Sequence, residues 1–186
     1  MLFWLSALSD GGDFFNLFRY ITFRAGGAFF TALIFGFLFG RPLIEALRRK
    51  YVGGQPIRED GPAHHIATKA GTPTMGGLLI LAALTLSTLL WARLDNPYVW
   101  MVLGVTVAFG LLGFSDDWAK VSRNSSAGVS GRTRLAIGFG IAALAGVAAT
   151  FMHPPELSSQ MAVPFFKDVL FNLGWVFVPF AMIVIV

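Results

Sequence analysis

Apolar positions gather along this chain into long blocks free of charge, set apart by short clusters of charged residues. Between consecutive ionisable residues, the uncharged stretches are Ala25–Gly40, Ala70–Ala92, Asn96–Ser115, Leu135–His153 with His153 neutral, and Val169–Val186. A membrane crossing needs roughly 20 apolar residues. The middle three stretches meet that length, and the first reaches it by letting Arg24 and Arg41 snorkel to the interfaces. The pattern predicts an all-α polytopic membrane protein with a single transmembrane domain. Five transmembrane helices are expected over 22–42, 70–92, 96–115, 135–153 and 169–186. The last block stops at Val186 in strongly apolar sequence, where a free carboxylate in hydrocarbon would be costly, so the chain is expected to continue beyond it.

Charge supplies the orientation. Of the 14 Lys and Arg residues, Arg41, Arg48, Arg49, Lys50, Arg58 and Lys69 follow the first span, and Lys120, Arg123, Arg132 and Arg134 follow the third. The N-terminal stretch has Arg19 and Arg24, and the two remaining loops have Arg93 and Lys167 alone. Basic loops stay in the cytoplasm, so loops 43–69 and 116–134 are expected there, with the N-terminus outside. Hydrophobic residues make up 55% and charged residues 13%, a balance that belongs to integral membrane proteins. The net charge of +4 thus reports topology, and no basic stripe with interleaved aromatics suggests a nucleic-acid partner. With no cysteine, disulfides, thiolate catalysis and Cys-based metal sites are excluded. Met1–Leu5 lacks the basic region of a cleavable signal peptide, and Phe14, Phe15, Leu17, Phe18 and Tyr20 amid polar residues suit a short interfacial helix.

Chemistry is expected where the basic loops meet the helices. In Lys69 through Gly71-Thr72-Pro73-Thr74-Met75-Gly76-Gly77, Thr72 fits an N-cap and Pro73 the first helical position. Free N–H groups and the positive dipole end would then face outward beside the Lys69 charge, an arrangement suited to phosphate. Taken alone, Lys69 is one more topology charge. Asp116-Asp117 closes the third span, and two carboxylates at a helix C-terminus oppose the macrodipole and repel each other. A divalent cation removes both objections, and Mg²⁺ takes one or two carboxylates plus substrate phosphates. The alternative is a helix that runs on past the membrane, its Asp pair a solvated face answered by Lys120 and Arg123. The short outer loop Arg93–Asn96 makes the second and third spans neighbours, so Lys69, the helix start and the Asp pair would share one cradle for Mg²⁺ and pyrophosphate.

Gly138, Ala142 and Gly146 recur at four-residue spacing and read as close helix packing, as do Gly110 and Gly113. His64-His65 has no third ligand at metal spacing and reads as solvated. Arg48-Arg49-Lys50 reads as an orientation and anionic-lipid patch, and Gly128–Gly131 as a mobile loop.

Arg58-Glu59-Asp60-Gly61-Pro62, His65, Lys69, Gly71–Gly77, Asp95–Trp100, Gly113–Asp117 and Val163–Asp168 together resemble the bacterial phospho-N-acetylmuramoyl-pentapeptide transferases, within the polyprenyl-phosphate sugar-1-phosphate transferases. The likeness runs over essentially the whole chain. The glycine- and threonine-rich run is specific to that branch, whereas the Asp pair is shared with the wider group. The resemblance implies a ten-helix fold of which this chain supplies the first five helices, in the bacterial inner membrane with the active site facing the cytoplasm. It implies transfer of phospho-MurNAc-pentapeptide from its UDP carrier to undecaprenyl phosphate, with Mg²⁺, giving lipid I and UMP, and it admits a homodimer. By motif position, Asp116 would deprotonate or position the lipid phosphate and Asp117 would bind Mg²⁺. Lys69 would contact the nucleotide phosphates, with Thr72 and Thr74 shaping the same pocket. The family's later motifs would lie beyond Val186, so the chain alone is expected to be inactive. Ser115 and Ala127 depart from the family pattern, where an apolar residue and a lysine are usual. The rival readings are a transferase for another UDP-sugar and a non-catalytic membrane fragment or transporter. Every Asp, Glu, Lys and Arg can be placed at a span end, which weighs against transport.

Overall fold

The computed structural model describes residues 1–10, 12–50, 76–123, 128–152, 159–162 and 170–186. Among them are five α-helices: α1 (Ile21–Lys50), α2 (Gly76–Trp91), α3 (Pro97–Ser122), α4 (Gly131–Met152) and α5 (Phe177–Ile185). Three of these, α1, α3 and α4, are long and apolar enough to cross a membrane, while α2 and the last helix are shorter apolar segments. The architecture is that of a polytopic helical membrane protein, and the main helix contacts join successive neighbours: α1 with α2, α2 with α3, α3 with α4 and α4 with α5.

Each junction has a local cause. Asn96 caps α3 by accepting a hydrogen bond from the Tyr98 backbone N–H at 3.0 Å, and Pro97 occupies the first helical position. Arg93 pairs with Asp95 at 2.6 Å, and Trp100 Nε1 donates to the Leu94 carbonyl, closing the turn between α2 and α3. On the next helix, Gly138, Ala142 and Gly146 are buried, as their spacing predicts. A Cβ at Gly146 would touch Val178 and Ala181 of α5, and one at Gly138 would touch Phe109 of α3, so this small-residue face lets three helices approach closely. Large side chains turn the other way: Phe37, Leu144, Phe151 and Ile183 are strongly exposed, the disposition of a lipid-facing surface.

Two parts of the chain depart from a purely helical reading. The 3-10 segments Leu2–Leu8 and Phe14–Arg19 stand where interfacial pieces are expected, and Phe18 is buried, stacking on Trp91 at the end of α2 with ring centroids 5.9 Å apart. Where a fifth span was expected over 169–186, the described residues begin with a strand. β2 (Leu170–Asn172) pairs antiparallel with β1 (Gln160–Ala162), Met161 opposite Phe171. The chain then turns through Gly174, whose φ of 50° lies in the left-handed region, into the 3-10 turn Gly174–Val176 and α5. A short apolar run suits strand and helix equally by periodicity, and here Asn172 decides, its side chain accepting from the Gly174 N–H and from Ser159 Oγ.

Candidate functional site: the Asp pair and the start of the second helix

Asp116 and Asp117 do not end their helix. Ala119 and Lys120 are good helix formers, and α3 continues through Ser122, so the pair lies more than a turn inside it. The alternative of a helix that runs on, its Asp pair answered by Lys120, is the one followed, except that Asp116 is not solvated. Asp116 is 5% exposed, and its carboxylate is enclosed by donors. Lys120 Nζ, one turn further along α3, meets Oδ2 at 2.6 Å; Arg134 Nη2, from the first turn of α4, meets Oδ1 at 3.0 Å. The Val129 backbone N–H donates to the same Oδ1 at 2.8 Å. A carboxylate accepting from three donors has most of its roughly four acceptor sites committed, and it draws α3, the 128–130 segment and α4 into one clamp.

Gly128 is a condition of that clamp. A Cβ at this position would collide with Asp116 Oδ1 and lie 2.8 Å from Lys120 Cε, so only glycine lets the backbone come so near. Where a mobile loop is expected over 128–131, Val129 is tied to Asp116, Ser130 Oγ accepts from the Thr133 N–H as a helix cap, and Gly131 already begins α4.

Asp117 is placed differently. Its side chain is 34% exposed, and Lys120 Nζ stands 3.7 Å away, a looser pairing than Lys120 makes with Asp116. Both aspartates line a cavity of about 300 Å³ whose other walls are Gly77, Leu78 and Leu81 of α2 and Gly110, Gly113 and Phe114 of α3. Gly110 brings the two helices together there, since a Cβ on it would lie 2.5 Å from Leu81 Cδ2. The neighbourhood of the second helix start and the Asp pair, expected from the short connecting loop, is thus present.

Among the described residues no cluster of three or more His, Asp or Glu is placed to hold a metal. A hard cation that completes its shell with water and phosphate oxygens needs only one or two carboxylates, and that requirement fits Asp117. It fits Asp116 less well, since Lys120, Arg134 and Val129 already take up most of its acceptor sites and two of these partners are cations. Lys69, Thr72 and Thr74, together with His64 and His65, lie outside the described residues. Arg134 and Gly128 are the residues that sequence reasoning missed. A signal existed, because a basic side chain in the first turn of a helix opposes its dipole and calls for a nearby anion.

Residues 69–81 match the model described as phospho-N-acetylmuramoyl-pentapeptide-transferase signature 1. That stretch leads into α2 and ends on Gly77, Leu78 and Leu81, the residues facing the Asp pair across the cavity. Over 185 of the 186 residues, a phospho-N-acetylmuramoyl-pentapeptide-transferase of Dinoroseobacter shibae is 70% identical. Proteins of the same name from Ruegeria pomeroyi and Ruegeria sp. strain TM1040 are 68% and 66% identical over 186 residues. The chain belongs to the phospho-N-acetylmuramoyl-pentapeptide transferase family. It spans about half the length of the curated relatives it matches, 51% in each case. Within the family signature, the described half presents small and apolar residues to the cavity, and the Asp pair supplies its charge.

Proposed function

We propose that this chain forms part of an inner-membrane transferase site, facing the cytoplasm, that moves phospho-MurNAc-pentapeptide from its UDP carrier to undecaprenyl phosphate, giving lipid I and UMP. The observation that carries this reading is the meeting of the family signature with Asp116 and Asp117 at one cavity. A pyrophosphate donor and a phosphate acceptor bring several negative charges together, so charge compensation is the dominant catalytic requirement and in-line positioning the second. Bound Mg²⁺ would neutralise the phosphate oxygens, and Asp117, the freer carboxylate, would hold it. Asp116, with its three donors, would fix the 128–130 segment at the edge of the site and take no part as a metal ligand. Lys69, Thr72 and Thr74, just before α2, would contact the donor phosphates.

The test is a full-length chimera in which this chain replaces the matching half of the Dinoroseobacter shibae relative. With Mg²⁺, undecaprenyl phosphate and UDP-MurNAc-pentapeptide, it is expected to form the lipid-linked product, to stop when the metal is chelated, and to give no product from UDP-N-acetylglucosamine. Product from UDP-N-acetylglucosamine in place of the muramoyl donor would assign the site to a related transferase. The 186-residue chain without the complementary half is expected to give no product.

A further inference from the structure

At the end of the bundle opposite the Asp pair, a second cavity of about 350 Å³ lies between α1, α2 and the start of α3. Its polar walls are Arg24, Ser87, Thr88, Trp91, Arg93 and Asn96. The Arg24 and Arg93 guanidinium groups both lie over the Phe3 ring, 5.0 and 4.7 Å from its centroid, so one ring is shared by two like charges. Asp95 answers Arg93 at 2.6 Å, but Arg24 makes no ion pair among the described residues. Its Nη1 reaches only the Trp91 carbonyl at 3.5 Å, and its Nε is buried without a hydrogen-bond partner. Ser87, 5% exposed, also carries a buried Oγ with no partner. Unpaired buried polar atoms are costly, and here both belong to residues that line one cavity, where a small side-chain movement would bring them to a common acceptor.

A phosphate group meets all of these needs. It accepts from the planar guanidinium fork and from a hydroxyl, and it balances the surplus positive charge. The cavity also has an apolar continuation: a neighbouring space of about 450 Å³ shares Ala28, Ser87 and Thr88 with it and runs between Ala32, Gly36 and Ala83 of α1 and α2. A free phosphate has no use for that slot, whereas a lipid acyl chain does. We propose that this end of the bundle binds an anionic phospholipid, its phosphate between Arg24 and Arg93 beside Ser87, and an acyl chain in the slot between α1 and α2. This site is separate from the transfer chemistry at the other end and does not depend on it.

Native mass spectrometry of the full-length chimera, released from detergent containing equal phosphatidylglycerol and phosphatidylcholine, tests the assignment. Phosphatidylglycerol is expected to be retained preferentially, and Arg24→Gln with Arg93→Gln to lower its retention about tenfold. Arg123→Gln, remote from the cavity, is expected to change nothing. Ser87→Leu, which fills the seam with both arginines intact, is expected to expel the lipid as well, and it carries the test if the double variant fails to fold. Equal retention of both lipids by the wild type, or undiminished phosphatidylglycerol on the folded variants, would overturn the proposal. Displacement of the lipid by millimolar inorganic phosphate would assign the site to free phosphate and overturn the lipid commitment.

Discussion

Replacing each aspartate of the pair by asparagine separates two roles that adjacent, chemically identical residues would otherwise share. Asp116 is paired at 2.6 Å with Lys120, their side chains 7% and 19% exposed, and at 3.0 Å with Arg134, 47% exposed. Removing one charge from a buried ion pair costs about 3–5 kcal/mol. Lys120 and Arg134 can both regain hydration by small side-chain movements, which brings Asp116→Asn to about 2–3 kcal/mol. In the full-length chimera, about twice as long as this chain, that lowers the thermal midpoint by roughly 3–4 °C. Asp117, about a third exposed and only loosely paired at 3.7 Å, should tolerate Asn within about 0.5 kcal/mol. The assay is thermal unfolding of the chimera variants in detergent, followed by transfer measured well below the lower midpoint. Asp117→Asn is expected to keep the wild-type midpoint and lose transfer, whereas Asp116→Asn loses stability. An Asp116→Asn protein as stable as wild type, or an Asp117→Asn protein destabilised to the same degree, would refute the division of labour.

Gly128→Ala should drive the backbone off Asp116 and break the Val129 hydrogen bond, costing about 1–3 kcal/mol; faster amide exchange at Val129 is the readout, and unchanged exchange would count against the clamp. Gly27→Ala should displace the Trp91 ring, which packs on Gly27, stacks on Phe18 and donates to Thr31 at 2.9 Å. Because both changes act through that ring, Gly27→Ala should cost little extra in a Trp91→Ala background, a non-additivity visible in the thermal midpoints. In the loop between α2 and α3, the hydrogen bond from Arg93 chiefly holds the Asp95 carboxyl below its ordinary range, against a smaller opposing effect of desolvation. A lowered folded-state value means that the stabilisation is present above the ordinary aspartate range and is lost as pH falls through the lowered one. Arg93→Gln should therefore move the Asp95 titration upward, as followed by carboxyl NMR, and an unmoved titration would contradict the pairing.

Much of this organisation is legible in the sequence where one local rule dominates. The short Arg93–Asn96 turn makes α2 and α3 neighbours, and they are in contact. The spacing of Gly138, Ala142 and Gly146 announces a packed face, and it is buried. The clamp is not legible in the same way. Arg134 is 18 residues from Asp116 across a helix break, and in a count of loop charges it is interchangeable with Arg123 or Arg132. Gly128 looks like any loop glycine until the carboxylate beside it is known. The end of α3 is legible only as one of two alternatives: hydropathy marks where apolar sequence stops, at Ser115, while the backbone stays helical to Ser122, where Lys120 answers Asp116 one turn on. The β1–β2 pairing escaped because it joins two short segments across a longer connection, and periodicity cannot register such a contact.

The central claim is that the cavity between α2 and the Asp pair receives the donor. Gly113 lines that cavity, and a Cβ there would meet no atom within 4 Å, so Gly113→Cys is tolerated by the packing. The 186 residues contain no cysteine, which makes an introduced thiol a unique reporter in an otherwise cysteine-free chimera. The measurement is the alkylation rate of that thiol with and without UDP-MurNAc-pentapeptide and Mg²⁺. Slower alkylation when donor and metal are both present, abolished by Asp117→Asn, is the predicted result. A rate indifferent to the donor would mean that the substrate binds elsewhere and would contradict the account.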